Sequence, residues 1–155
     1  MIDFSEEDLF KRQFEQPVVK LIINDRYLHD NYRIVERLGR YVRMAYDGGK
    51  LERVEVCTWD AGLPQIRNSS REEQNRAISR LKSKFPEVSI EFKRTRQVEH
   101  DRFIVLERDD GTYARILFGK GLDYIQQDGT IERTYIVVED PYQKENKPGK
   151  EGYVS

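Results

Sequence analysis

The sequence predicts an α/β sandwich, in which flanking helices cover a mixed β-sheet. Three observations lead to this fold class. Apolar runs of strand length recur along the chain, two stretches of helical period separate the first three runs, and a glycine turn joins two later ones. The order is strand-helix-strand-helix-strand, followed by a hairpin and a last strand. This order favours parallel pairing of the first three strands through right-handed crossovers.

The predicted elements follow one another closely along the chain. Ser5–Glu15 has the acidic first turn of a short helix. Arg26–Tyr46 shows a helical period of apolar residues, and a capping box at Ser70 begins a third helix that continues to Phe85. Strands are predicted at Val18–Ile23, Val54–Trp59, Val88–Phe92, Phe103–Leu106, Tyr113–Phe118 and Thr134–Val138.

Composition limits the classes of protein that fit. Charged residues make up 35% of the 155 residues, yet the net charge is -1, so binding to nucleic acid or to an anionic membrane requires a local basic patch. Cys57 is the single cysteine, which excludes an internal disulfide and suits a structural strand residue in a reducing compartment. No apolar run reaches the roughly 20 residues of a membrane span, and the N-terminus is acidic, unlike a signal peptide. We expect a cytoplasmic protein that can attach peripherally to a membrane.

Three segments are expected along the chain. Residues 1–17 are an N-terminal extension that contains the short helix, and residues 18–140 are the folded domain. Residues 141–155 are a tail whose content of Lys, Gly, Glu and Pro is typical of disorder.

The most specific motif flanks the hairpin of the predicted fourth and fifth strands. His100-Asp101-Arg102 enters the fourth strand, and Gly119-Lys120-Gly121 follows the fifth. This arrangement resembles the phosphate pocket of the phospholipase D superfamily, which implies chemistry in which one histidine attacks phosphorus, a second protonates the leaving group, and cations hold the phosphate oxygens. Glu107 has the sequence spacing of the carboxylate that orients such a histidine, although strand alternation puts it on the opposite face from His100. A lone histidine beside an aspartate also fits a hydrogen-bonded structural residue.

These residues resemble the phospholipase D superfamily and, more closely, the phospholipase-D-like C-terminal domain of MIT-domain proteins. That domain has His-Asp-Arg, a hairpin and Gly-Arg-Gly-Leu-Asp-Tyr, where this chain has Gly119–Tyr124; Asp25-Arg26-Tyr27 is similar to an Asp-Pro-Tyr of the family. The resemblance covers Val18–Gln126. It implies a phospholipase-D-like fold with one degenerate motif, membrane binding through a basic surface, and dimerisation. The chain departs from the family in the acid at Glu107, and the segment before Val18 is too short for a three-helix MIT domain.

A non-catalytic binding module is the first functional hypothesis. It would recognise phosphate groups, above all those of acidic membrane lipids, through Arg102 and Lys120, with Asp101 as part of the pocket. Basic stripes on the two long helices would extend this surface, although such stripes also occur as solvated faces balanced by acids. The stripes contain Arg33, Arg37, Arg40, Arg76, Arg80 and Lys84.

The alternative hypotheses belong to other classes of protein. In a homodimeric phosphodiesterase or nuclease, two chains would bring two copies of His100 to one phosphate, with Glu107 as the carboxylate and lipid or nucleic acid as the substrate. In an accessory role, the domain would dock a larger ATPase or effector. No metal ion or other cofactor is expected under any of these hypotheses.

Overall fold

The structure, a computed structural model, describes residues 10–25, 32–59, 71–95, 102–118 and 136–143, apart from the side chains of residues 32–35, 37 and 95. The described part is an α/β fold with a six-stranded mixed sheet and two helices, which confirms the predicted fold class. The elements are β1 (Val18–Asn24), α1 (Tyr32–Tyr46), β2 (Arg53–Trp59), α2 (Arg71–Lys84), β3 (Ser89–Thr95), β4 (Phe103–Arg108), β5 (Tyr113–Phe118) and β6 (Ile136–Glu139).

The strands lie in the order β3-β2-β1-β4-β5-β6. β1 pairs in parallel with β2, and β2 with β3, whereas β4, β5 and β6 each pair antiparallel with the preceding strand of the sheet. Both parallel crossovers run in the same direction, so right-handedness puts α1 and α2 on the same face of the sheet. The two helices contact each other there, and a Cβ placed on Gly39 of α1 would lie 3.5 Å from Leu81 Cδ1 of α2.

Each helix buries the apolar stripe that its sequence predicts. α1 packs Leu38, Tyr41, Val42 and Ala45 into the core, with none of them more than 1% exposed. α2 packs Ile78 and Leu81 inward, and Phe85 follows its last turn. α1 ends before Gly49, which has a φ of 87° that favours glycine.

The chain before β1 covers the same face of the sheet beside α1. Phe10 is 1% exposed, and its ring centroid lies 5.9 Å from that of Tyr41 and 6.0 Å from that of Phe118. The backbone then turns tightly, because the Gln13 amide donates to the Phe10 carbonyl at 3.0 Å. The described part of the predicted N-terminal extension therefore packs into the core of the domain. Residues before Phe10, where the short helix was predicted to begin, lie outside the described residues.

A buried arginine at the end of β4 joins three distant parts of the chain. Arg108 is 7% exposed, and its guanidinium donates to the Gln13 carbonyl, to Thr112 Oγ1 and, in a bidentate pair at 2.9 and 2.7 Å, to the Asp140 carboxylate. Asp140 follows β6, and Tyr142 continues the contact by donating its amide to the Tyr113 carbonyl at 2.8 Å. Tyr142, near the start of the predicted tail, is thus held against the sheet.

The sheet face away from the helices carries alternating charges. Lys20 lies 3.4 Å from Glu55, and Arg53 joins Glu55 to Glu91 through contacts of 2.9 Å each. These residues lie side by side because the register aligns the outward positions of β1, β2 and β3. Despite its partial burial, Glu55 has a lowered pKa, because the attraction of Lys20 and Arg53 outweighs the desolvation that raises it.

Candidate functional site

Several strand ends lie together along one side of the sheet, perpendicular to the strands. We call this side the carboxyl edge. The carboxyl ends of β1, β2, β3 and β5 lie there with the amino end of β4. The pairing shows this directly: Asn24 at the end of β1 lies opposite Cys57 of β2 and Phe103 of β4. Both helices run back from this edge, so their amino ends, with their partial positive charge, lie toward it. Ligands of open α/β sheets bind at the carboxyl ends of the strands, and this arrangement favours an anion.

Buried polar residues are concentrated at the carboxyl edge. Four of the six buried polar residues in the described chain lie there, namely Asn24, Asp25, Thr58 and Gln74. The Asp25 amide donates to the Cys57 carbonyl at 3.1 Å, and Gln74 Nε2 donates to the Trp59 carbonyl at 3.1 Å. Burying polar groups costs free energy unless they are hydrogen-bonded. The carboxyl edge is therefore a region of buried polar groups that hydrogen bonds stabilise.

Sequence reasoning found only part of this polar region. Asp25 was noticed through the family resemblance, whereas Thr58 and Gln74 were missed. A signal was present for both. Thr58 continues the inward-facing alternation of Val54 and Val56, and Gln74 lies one helical turn before Ile78 on the buried face of α2. Polar residues at inward-facing positions indicate that the buried side chains there form hydrogen bonds in place of apolar contacts.

Arg102, the one residue of the predicted phosphate motif that the structure describes, lies at the carboxyl edge. Arg102 lies directly before β4, is partly buried, and accepts a hydrogen bond at its carbonyl from the Phe118 amide at 2.9 Å. This bond holds the start of β4 beside the end of β5, the two strand ends from which the two halves of the motif continue. His100, Asp101 and Lys120 lie outside the described residues, so their predicted roles stay predictions.

Glu107 lies far from Arg102. It is five residues further along β4, which is about 17 Å at the usual rise of a strand. Its Cα partners are Lys20 and Tyr113, near the opposite edge of the sheet. Ile104 and Leu106 point into the core, so Glu107 points to the other face, as alternation predicted. The structure does not bring Glu107 to the carboxyl edge, and this placement gives no support to its predicted role as the carboxylate of a catalytic site.

The predicted basic stripes are only partly described. Arg76, Arg80 and Lys84 are exposed on the outward face of α2, and Arg40 is exposed on α1. The side chains of Arg33 and Arg37 lie outside the described residues, although the backbone of both belongs to α1. Arg76 and Arg80 line a shallow depression of about 460 Å³ together with Asn75, Ser79 and Ser83. Lys84 is the last residue of α2 and lies away from the carboxyl edge.

The half-buried thiol of Cys57 lies in a setting that disfavours its ionised form. Burial raises its pKa, and the attraction of Lys93, its neighbour in β3, only partly opposes that effect. This favours the structural role predicted for this residue. Within the described ranges, no group of three or more His, Cys, Asp or Glu side chains is placed to hold a metal ion. Neither helix of the described chain is long and apolar enough to cross a bilayer.

Comparison with known proteins adds one finding to this geometry. No curated protein matches the sequence. A family model does match, and it is described as the phospholipase D-like domain at the C-terminus of MIT. The match extends over residues 4–135, so it includes the polar carboxyl edge, both halves of the motif and the segment around Phe10 that packs into the core. The chain therefore belongs to the family of phospholipase D-like domains found at the C-terminus of MIT.

Proposed function

We propose that this domain is a binding module that recognises phosphate groups on acidic membrane lipids at its carboxyl edge. The observation that carries the proposal is the hydrogen bond between the Phe118 amide and the Arg102 carbonyl, 2.9 Å long. It holds the backbone of a basic residue at the edge where parallel strands end and helix amino ends converge. A cation with a fixed backbone in such a place loses little conformational freedom when it binds an anion.

The chemistry of the edge suits a phosphate oxygen. The guanidinium of Arg102 has five donors in a planar fork that can hold two oxygens of one phosphate. The two helix amino ends each add about half a positive charge, worth roughly 0.3–1 kcal/mol toward an anion. Partial burial of Arg102 lowers the local dielectric constant, which strengthens each of these attractions. Lys120 and Asp101 are proposed to complete the pocket, with the basic stripes meeting the membrane around it.

Binding without cleavage is the better-supported form of this function. Phosphodiester cleavage by a histidine nucleophile needs a second acid near the leaving group and a carboxylate that orients the ring. Glu107 lies about 17 Å along the strand from Arg102 and points to the other face of the sheet. The enzyme alternative would therefore depend on pairing two chains, and no observation on the described residues favours it. The accessory role gains no support from them either.

Vesicle flotation tests the proposal. We expect the protein to float with vesicles that contain phosphatidylserine and not with vesicles of phosphatidylcholine alone. Arg102→Gln should weaken binding about 10-fold or more, because a charge-assisted hydrogen bond is worth roughly 1.5–3 kcal/mol. Arg12→Gln is the matched control, because Arg12 is an exposed arginine outside the carboxyl edge. Equal recovery on both kinds of vesicle, or equal loss in both variants, would contradict the proposal.

A further inference from the structure

β3 is an outer strand of the sheet, and within the described part of the chain it pairs with β2 alone. We call its other long side the β3 edge. Every second residue of β3 directs its N–H and C=O groups toward β2, beginning with Ser89, whose amide donates to the Glu52 carbonyl at 3.0 Å. The alternate residues direct theirs outward along the β3 edge, and these are Ile90, Phe92 and Arg94. Such a row of donors and acceptors is a template for one more strand.

The side chains of β3 alternate between the two faces of the sheet. Ile90 is 7% exposed, Phe92 packs against the core, and Arg94 donates to α2, so these three lie on the helix face. Glu91 and Lys93 are exposed on the other face. On that face, β3 therefore presents one acid and one base that are two residues apart.

We propose that the β3 edge is the interface of a symmetric dimer, in which the β3 strands of two copies pair antiparallel about a two-fold axis at Phe92. This register pairs all seven residues of the strand. It places Ile90 opposite Arg94 and Phe92 opposite its own copy, and each of these pairs exchanges both N–H···O bonds. Glu91 of each copy lies opposite Lys93 of the other in a non-hydrogen-bonded pair, whose Cα atoms are about 4.5 Å apart.

The charges select this register from the others that the backbone allows. An axis at Glu91 or at Lys93 would place two like charges directly opposite each other, which is destabilising. An axis at Ile90 or at Arg94 would leave more than half of the strand unpaired. Charged residues on an outer strand commonly prevent pairing with other chains. Here the acid and the base are spaced so that each copy complements a second one.

The position of α2 leaves room for this pairing. Arg94 reaches Asn75, so these residues are level along the sheet. Phe92 lies about 7 Å back along β3, which equals four to five residues of helix, so Ser79 lies near the proposed axis. The short side chains of Asn75 and Ser79 allow close approach. A helix that covers β2 and β3 comes to lie about 10 Å from its copy across the axis, a usual distance for packed helices.

The dimer directs its two carboxyl edges to opposite ends. Because the two β3 strands run antiparallel, the carboxyl edge of one copy lies beside the amino ends of the parallel strands of the other. The two copies of Arg102 therefore do not meet at one phosphate. Instead, one dimer bridges two phosphate-bearing surfaces. This bridging rests on the proposed function, whereas the dimer itself does not.

Sedimentation equilibrium of the full chain tests the interface. Lys93→Glu and Glu91→Lys each place like charges opposite each other, so each should weaken dimerisation at least 10-fold. An equimolar mixture of the two variants restores both pairs of opposite charge and should recover near-normal affinity. Lys11→Glu is the matched control, because Lys11 is an exposed lysine of the segment that packs beside Phe118 of β5, far from β3.

Three outcomes of sedimentation would overturn the proposal. They are a monomer at every concentration, a mixture of the two variants that stays monomeric, and an equal loss in Lys11→Glu. Thermal unfolding of each variant confirms that the fold is intact.

Amide hydrogen exchange tests whether β3 forms the contact. We expect the amides of Ile90, Phe92 and Arg94 to gain protection as protein concentration rises, whereas the intervening amides, which are bonded to β2, are protected at every concentration. Dimerisation without this alternation would overturn pairing through the β3 edge.

Clustering of phosphatidylserine vesicles, followed by light scattering, tests the opposed orientation. We expect the protein to cluster vesicles, Lys93→Glu and Arg102→Gln to lose clustering, and the mixture of Lys93→Glu with Glu91→Lys to regain it. Dimerisation and flotation without clustering would overturn the opposed arrangement of the two edges. If the unchanged protein does not float with these vesicles, the proposed function is lost, while sedimentation and exchange still decide the dimer.

Discussion

Replacing Arg108 with alanine is expected to destabilise the protein by about 2–4 kcal/mol. The side chain is 7% exposed and its guanidinium makes contacts with Gln13, Thr112 and Asp140. Removing it leaves the Asp140 carboxylate and the Gln13 carbonyl without their donor. Breaking a fully buried ion pair costs roughly 3–5 kcal/mol. The expected value here is lower, because Asp140 is 27% exposed and water can replace part of the lost interaction.

Chemical denaturation with urea measures this effect as a change in the free energy of unfolding. Thermal unfolding should show a fall in Tm of about 5–15 °C, since 1 kcal/mol corresponds to roughly 2–4 °C in a protein of this size. Arg53→Ala is the matched control, because Arg53 is 46% exposed and paired with Glu55 and Glu91 on the open face of the sheet. Exposed ion pairs contribute little, so this variant should lose less than about 1 kcal/mol.

Two further variants separate charge from geometry. Arg108→Lys keeps the charge but replaces a planar fork with a single ammonium group, so it should recover only part of the stability. The double variant Arg108→Ala/Asp140→Asn should be less destabilised than the sum of its single variants, because the two residues interact directly. The reasoning is refuted if Arg108→Ala costs no more than Arg53→Ala, or if the effects of the two positions are additive.

Three other predictions concern the packing and the turns. Phe10→Ala should cost about 3–5 kcal/mol in urea unfolding, as a buried aromatic does, and a loss below about 1 kcal/mol would mean that the N-terminal segment does not stabilise the core. Gly111 has a φ of 87°, so Gly111→Ala should cost about 1–2 kcal/mol; an unchanged Tm would contradict this. Hydrogen bonds from Gln16 and then Lys50 lower the pKa of Asp109 below its ordinary 3.8. This stabilisation is present above about pH 4 and is lost as pH falls through the lowered value. Asp109→Asn should therefore flatten the acid limb of the stability profile, and an unchanged limb would exclude this role.

The elements of the fold could be predicted from the sequence because their signals are local. In β2, Val54, Val56 and Thr58 alternate, and all three face the core. In α1, Leu38 and Val42 are one helical turn apart, and both are buried. A strand or helix must present one face to the core, so the period of its apolar residues shows its type before any tertiary contact is known. The parallel arrangement of β1 to β3 followed in turn from the helices between them.

Long-range polar contacts could not be predicted in the same way. Arg108 belongs to a run of charged and turn residues that is typical of an exposed hairpin, yet it is buried against Gln13, 95 positions earlier. Its other partner, Asp140, is 32 positions later. A charge is buried only when its partners are present, and nothing local to the sequence identifies them. Phe10 illustrates the same limit, because its partners Tyr41 and Phe118 come from two other elements.

The same contrast between local patterns and long-range contacts applies to the candidate site. Local sequence patterns were enough to predict the α/β class, the six strands, the inward face of each of the two helices, and the motif that leads to the family. The strand order and the burial of Asp25 and Gln74 at the carboxyl edge became known only from the folded structure. The physical reason is that side-chain period is a property of a few consecutive residues. Strand order and polar burial instead depend on which distant segments the chain brings together, and only the assembled core determines that.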